Sequence, residues 1–308
     1  MTRVEQQFEE QRASNASGLP FFAAFAEHRE QVSRLIVGAE GSRGRGVEVE
    51  QQRVCVLGAG NAYDLDLELL LGAFEELLEG AAEMDRHVLL TDGAANIALL
   101  AAFADLFYTQ NRGAQSRAIF AYDERLRLLP DYLQQLEMES NGKSVTAEGK
   151  PLGRPSAPVT WGGVGTDAQH AVFQLLHQGT TAVPVEFVAV VEKDDDVDPG
   201  HHRMLLGNCF AQGAALMAGR EHDDAARAYP GDRPSTTVLL QRLDPRSLGA
   251  LIAFYEHRTF ANAALLGINP FDQFGVELGK EMAQALDDPE GREKLDPSTR
   301  QLIERAGL

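Results

Sequence analysis

Short apolar runs alternate with longer amphipathic segments over most of the chain. Four of these runs predict buried strands, at residues 117–122, 159–161, 183–191 and 236–243. Segments of helical period lie between and after them, at about residues 65–86, 96–110, 126–140, 167–178, 202–219, 245–266, 272–285 and 297–306. This alternation is typical of an α/β fold, a three-layer sandwich with a mostly parallel sheet flanked by helices.

The chain ahead of these elements has a different character. Residues 1–36 form a polar pattern that predicts helix, and residues 38–46 contain four glycines and predict a loop. Residues 53–57 then predict a short buried strand, followed at once by Gly58 and Gly60. Glycines placed between a strand and a helix N-terminus let the backbone approach a nucleotide-like ligand, and they equally suit a structural turn.

The overall charge narrows the classes of partner. Lys and Arg number 28 against 46 Asp and Glu, which leaves a net charge of −18. A nucleic-acid or anionic membrane surface needs clustered basic residues, so neither partner is expected. One local pocket can still hold a small phosphorylated ligand.

The sequence predicts neither a signal peptide nor a membrane-spanning segment. The N-terminus has no apolar core of a signal peptide, and the longest apolar run, residues 97–104, is far shorter than a membrane span of about 20 residues. We therefore expect a soluble cytoplasmic protein.

Neither the cysteines nor the histidines predict a metal centre. Cys55 and Cys209 lie in apolar surroundings without a Cys-x-x-Cys partner, which favours two buried side chains over a zinc site or disulfide. The spacing of His201, His202 and His257 is too scattered for a set of metal ligands. No metal and no other cofactor is expected.

Two groups of polar residues have helical spacing. Gln135 and Glu139 are four residues apart, and Gln273, Glu277 and Lys280 follow an i, i+4, i+7 pattern. Each group would share one face of a helix. Such a face suits acid–base chemistry, but the spacing alone equally fits a solvated polar surface.

Beyond about residue 74 the sequence resembles the C-terminal half of the glucose-6-phosphate isomerase (phosphoglucose isomerase) family. The motifs that carry this resemblance are LQQLEMESNGK at residues 133–143, GTDAQHAVFQLLHQG at 165–179, HHRMLLGN at 201–208 and AALLGINPFDQFGVELGK at 263–280. The resemblance covers roughly three quarters of the chain and implies a domain of the sugar isomerase type over residues 74–308.

The family resemblance implies interconversion of glucose 6-phosphate and fructose 6-phosphate through an enediol, in glycolysis and gluconeogenesis. Glu139 resembles the base that moves the proton between C1 and C2. His170 resembles the ring-opening histidine, which the neighbouring subunit of a homodimer contributes, and Lys280 its partner at the ring oxygen. Gln135 and Gln273 match glutamines that contact the sugar phosphate.

Two motifs of the family's N-terminal half are missing from this sequence, a Ser-Lys-Thr phosphate loop and a Gly-Gly-Arg motif. An alternative hypothesis is therefore a catalytically impaired module for sugar-phosphate binding or dimerisation, without the N-terminal phosphate site.

Residues 54–67 resemble instead the first motif of class I methyltransferases that use S-adenosylmethionine. Gly58 and Gly60 would be its cofactor-binding residues, but no second ribose-binding strand follows, so a structural turn is favoured. We expect residues 1–73 to form a segment separate from the isomerase-like domain. A fragment of a methyltransferase is the third hypothesis.

Overall fold

The computed structural model describes residues 67–286 and 289–308. Within these ranges four strands form one parallel sheet in the order β2-β1-β3-β4. Their bounds are β1 Ser116–Tyr122, β2 Val159–Val164, β3 Val185–Val190 and β4 Ser235–Leu240. The predicted α/β class is confirmed. Strand β3 begins two residues later than predicted, directly after Pro184, which has no backbone N–H to donate to a ladder.

The helices follow the predicted pattern with shifted ends. Their bounds are α1 Leu67–Leu90, α2 Ile97–Leu106, α3 Leu129–Asn141, α4 Gly165–Gln178, α5 Pro199–Ala218, α6 Pro245–Leu266, α7 Glu277–Ala285, α8 Pro289–Glu293 and α9 Pro297–Ala306. Helix α5 begins three residues before position 202 because the Asp198 side chain accepts hydrogen bonds from the backbone of Gly200 and His201.

Helices cover both faces of the sheet. On one face, called here the α6 face, side chains of α2, α3 and α6 pack on inward residues of β1 and β3 such as Ile119 and Val188. On the other, the α5 face, α4 and α5 pack on the alternate residues, such as Phe120 and Phe187. Successive strand residues point to opposite sides, so each strand serves both cores.

Helix α1 is fixed to α6 by two glycines. A Cβ on Gly249 would lie 1.9 Å from the backbone oxygen of Leu77, and one on Gly80 would lie 1.8 Å from that of Arg246. Only glycine permits this approach of two backbones. The Arg246 side chain also binds Glu83 of α1 across the same crossing.

Several predictions fall outside the described ranges. The predicted helix at residues 1–36, the strand at residues 53–57 and the candidates Gly58 and Gly60 all lie there. Among the helices in the described part of the chain, none has the length and apolarity needed to cross a membrane.

Candidate active site

Gln135 and Glu139 lie on the same side of α3. The Gln135 Nε2 donates a hydrogen bond of 3.2 Å to the Glu139 Oε2, which confirms the shared face predicted from their spacing. Gln135 is exposed and Glu139 is half-buried, whereas Leu133 and Glu137 of the same helix are buried. The buried side chains of α3 therefore anchor the helix to the sheet, and the Gln135–Glu139 pair lies on its more exposed side.

Lys143 joins this helix to the loop that carries Gln273. Its Nζ donates to the backbone oxygen of Glu139 at 2.7 Å and to that of Asp272 at 2.5 Å. It also lies 3.6 Å from the Asp272 Oδ1. Asn269 donates to the other Asp272 oxygen at 2.9 Å, so the loop is held from both sides. One lysine thus places Gln273 next to the C-terminal turn of α3.

Gln273 does not belong to the helix predicted for it. The chain turns through a short 3₁₀ segment, Phe274–Val276, and α7 begins only at Glu277. The prediction that Gln273, Glu277 and Lys280 share one helix face is therefore wrong for Gln273, whose φ of −136° is not helical. The intervening turn was not visible because the apolar residues on both sides also fit helical spacing.

Lys280 lies on α7, a helix that buries none of its side chains within the described structure. It is exposed, and no hydrogen bond or ion pair among the described residues links it to Glu139. The structure therefore leaves Lys280 outside the cluster formed by α3 and the Gln273 loop.

His170 lies in a different layer of the molecule. It is exposed on α4, on the α5 face, whereas Glu139 lies on α3, on the α6 face. The start of α4 is fixed by Gly165, where a Cβ would lie 2.3 Å from the Tyr122 ring, and by a 3.2 Å hydrogen bond from Gln169 to the Tyr122 hydroxyl. A single copy of the fold does not bring His170 and Glu139 together.

A buried ionic network lies behind Glu139, and sequence reasoning missed it. Arg117 of β1 binds Glu137 of α3 and approaches Asp105 of α2 at 3.3 Å. Arg258 of α6 binds Asp105 through two hydrogen bonds of 2.5 and 2.6 Å and Glu186 of β3 through one of 2.6 Å. The available signal was a charged residue inside each of two apolar strands, Arg117 and Glu186.

Burial shifts the pKa values of this network. It raises the pKa of Glu186 to about 7, against the opposing charge of Arg117, and it also raises the pKa values of Asp105 and Glu137. Burial would by itself lower the pKa of Arg117, but the three carboxylates outweigh it and raise that pKa. Three carboxyl groups thus face two guanidinium groups, and burial brings the pKa of Glu186 close to neutral pH.

The ionic network ties α3, the helix that carries Glu139, to the sheet. Glu137 stands two residues before Glu139 and also accepts a 2.7 Å hydrogen bond from Thr160 of β2. Asn141, two residues after Glu139, donates to the backbone oxygen of Thr259 on α6 at 2.9 Å. The backbone on both sides of Glu139 is therefore immobilised by buried polar contacts. No cluster of His, Cys, Asp or Glu among the described residues is arranged to hold a metal ion.

The parallel sheet with helices on both faces is an α/β fold, and it matches the fold of a solved glucose-6-phosphate isomerase. A family model described as phosphoglucose isomerase matches residues 56–303, and the chain belongs to that family. The match begins ahead of residue 74 and includes Gly58 and Gly60.

Individual relatives agree with the family match. Glucose-6-phosphate isomerase of Rhizorhabdus wittichii is 71% identical over 244 residues, which cover 79% of this chain and 49% of the relative. That of Sphingopyxis alaskensis is 72% identical over 234 residues, covering 76% and 46%. The crystal structure of a glucose-6-phosphate isomerase from Chlamydia trachomatis superposes with a TM-score of 0.68 at 37% identity, covering 78% and 48%. The chain spans about half the length of the relatives it matches.

Proposed function

We propose that the protein is an aldose–ketose isomerase that interconverts glucose 6-phosphate and fructose 6-phosphate. The observation that carries this proposal is the Glu139 carboxylate, half-buried, oriented by Gln135 and held beside the Gln273 loop by Lys143. The relatives with 71% and 72% identity are named glucose-6-phosphate isomerase and support the same substrate. Such chemistry belongs to the cytoplasm, where we place the protein.

Glu139 acts as the base in this proposal. Its carboxylate takes the proton from C2 of the open-chain aldose, which gives a C1–C2 enediolate with the charge on O1. The O2 hydroxyl proton then moves to O1, and the Glu139 carboxylic acid returns its proton to C1 to give the ketose. The Gln135 amide donates to the carboxylate and fixes the direction of its free lone pairs. Gln273, next to Asp272, contacts the hydroxyl groups of the sugar.

Ring opening requires a further acid–base group, and we assign this role to His170. Glu139 and His170 lie on helices of opposite sheet faces, so we propose a homodimer in which His170 of the partner subunit completes the site. Lys280 acts with this histidine at the ring oxygen, which its side chain would approach from α7.

A sugar-phosphate-binding or dimerisation module is the second candidate function. It rests on two motifs of the family's N-terminal half, the Ser-Lys-Thr phosphate loop and the Gly-Gly-Arg motif, which this sequence does not contain. Cationic groups that stabilise the phosphate and the enediolate supply a large share of the catalytic effect in such reactions. A chain without them would bind weakly or turn over slowly.

The methyltransferase hypothesis is less well supported. The phosphoglucose isomerase match reaches back over Gly58 and Gly60 and favours isomerase-type sequence in that segment.

A coupled assay that converts fructose 6-phosphate to glucose 6-phosphate tests the proposal. Turnover by the full chain that Glu139→Gln abolishes and Glu304→Gln leaves unchanged supports it, since Glu304 is exposed on α9. A folded chain without turnover contradicts it. Calorimetry with 6-phosphogluconate then separates a binding module from a chain without a sugar-phosphate site.

A further inference from the structure

The turn after α3 brings Lys143 back onto the helix that it follows. Helix α3 ends at Asn141, and the Gly142 N–H donates to the Met138 backbone oxygen at 2.9 Å. A Cβ on Gly142 would lie 2.3 Å from that same oxygen, so only glycine lets the chain turn in this way. The Lys143 Nζ then reaches the backbone oxygen of Glu139, one of the last four carbonyl groups of α3, which have no partner within the helix.

The loop 267–273 is held at its root without help from α3. The backbone oxygen of Gly267 accepts a 2.8 Å hydrogen bond from the N–H of Ala147. Ile268 is buried in a small cluster against which Leu152 packs. The root of the loop therefore stays in place when contacts at its other end are lost.

The Lys143 ammonium group joins the other end of this loop to α3. Its Nζ donates to the Asp272 backbone oxygen at 2.5 Å and lies 3.6 Å from the Asp272 Oδ1. An ammonium group has three N–H donors, so one lysine can bind the Glu139 and Asp272 backbone oxygens at the same time. The Lys143 side chain is 14% exposed, which keeps most of it out of water. The backbone of Glu139 and the residue directly before Gln273 thus share one donor.

We propose that Lys143 is a positioning residue of the isomerase site and fixes the distance between the Glu139 carboxylate and the Gln273 side chain. It acts through the backbone of both segments and does not itself contact the sugar. This inference rests on the isomerase function proposed above. A shift of a reacting group by about 1 Å costs up to about 100-fold in rate. Loss of Lys143 therefore weakens sugar binding through Gln273 and slows proton transfer through Glu139.

Two substitutions of Lys143 in the full chain test the proposal. Lys143→Met keeps the length of the side chain and removes its donors, whereas Lys143→Arg keeps a charged donor. Each variant is assayed with fructose 6-phosphate and titrated calorimetrically with 6-phosphogluconate, at a temperature where circular dichroism shows it folded. We expect Lys143→Met to lower kcat by about tenfold or more and to raise KM and the Kd of 6-phosphogluconate by about threefold or more. Lys143→Arg should lie between Lys143→Met and the native chain in all three constants.

Two control variants separate positioning from a general loss of stability. Lys150→Met makes the same substitution at an exposed residue of the turn that follows Lys143. Gly249→Ala disturbs the crossing of α6 with α1, about 27 Å along α6 from Gly267. A loss of stability lowers only the fraction of active protein and so leaves KM and Kd unchanged. Both controls should keep the native KM and Kd within about twofold.

The outcomes for Lys143 and for the isomerase proposal are distinguishable. Lys143→Met with the native KM and Kd overturns the positioning role, whatever its kcat. A native chain that binds 6-phosphogluconate without turnover contradicts the isomerase proposal alone, because the Kd of Lys143→Met still decides whether Lys143 positions the site. A native chain that does not bind 6-phosphogluconate overturns both.

Discussion

Glu186 makes the stability of this fold depend on pH in a way that a single substitution isolates. Its carboxyl group is 3% exposed, accepts hydrogen bonds from the Tyr255 hydroxyl at 2.7 Å and from Arg258 at 2.6 Å, and has a pKa raised by burial to about 7. The ordinary value is 4.5. The perturbation is Glu186→Gln, which keeps the size and removes the titration.

The sign and size of the pH effect on the free energy of unfolding depend on the pKa of Glu186 in the folded and in the unfolded state. A raised pKa means that the folded state binds the proton more tightly than the unfolded chain does, so this contribution to stability is complete below 4.5 and is lost as pH rises through about 7. The full difference amounts to about 3 kcal/mol at 1.36 kcal/mol for each unit of pKa. Between pH 6 and 8 only the folded state releases this proton, which costs about 1 kcal/mol of stability.

Urea unfolding followed by circular dichroism at pH 6 and pH 8 measures this difference. We expect the native chain to lose stability between the two pH values and Glu186→Gln to lose about 1 kcal/mol less. Glu304→Gln, at an exposed site, should show the same difference in stability between pH 6 and pH 8 as the native chain. An unchanged pH dependence in Glu186→Gln would refute the assignment of the buried proton to this residue.

Two further predictions concern contacts that organise the site and the helix layer. Lys143→Met should lower the free energy of unfolding by about 1–3 kcal/mol because the backbone oxygens of Glu139 and Asp272 lose a charged donor. Lys150→Met, at an exposed loop position, should change it by less than about 0.5 kcal/mol. Equal effects of the two substitutions in urea titrations would argue that Lys143 does not hold the loop to α3. Gly249→Ala should destabilise by about 1–3 kcal/mol because its Cβ would overlap the Leu77 backbone. Gly207→Ala, where no atom lies within 4 Å, should stabilise α5 by up to about 1 kcal/mol, and thermal unfolding that ranks the two variants in the opposite order contradicts the helix crossing.

The local architecture could be predicted well from the sequence. Strands such as Ser116–Tyr122 are visible as continuous apolar runs because a parallel strand is buried on both faces. Helices with caps and periodicity, such as Pro245–Leu266, were placed within a residue or two. The pairing of Gln135 with Glu139 was also predictable, since four residues make little more than one helical turn.

The contacts that hold the candidate site together were not predictable in this way. Lys143 and Asp272 are 129 residues apart, and Asp105 and Arg258 are 153 apart. No local period records such pairings, since they exist only once the layers have packed. A buried Arg or Glu in a strand is locally unfavourable and becomes acceptable only when its partner arrives from another element.

The sequence by itself determined the class of fold, the order of its elements and, through its motifs, the family. Tertiary structure alone decided that Glu139 and the Gln273 loop are adjacent, that His170 lies in the opposite layer, and that β4 is the last of the described strands at one side of the sheet. The reason is that helical and strand periods fix which side of its own element a residue faces. Which elements then face each other is decided by the winding of the chain across the sheet.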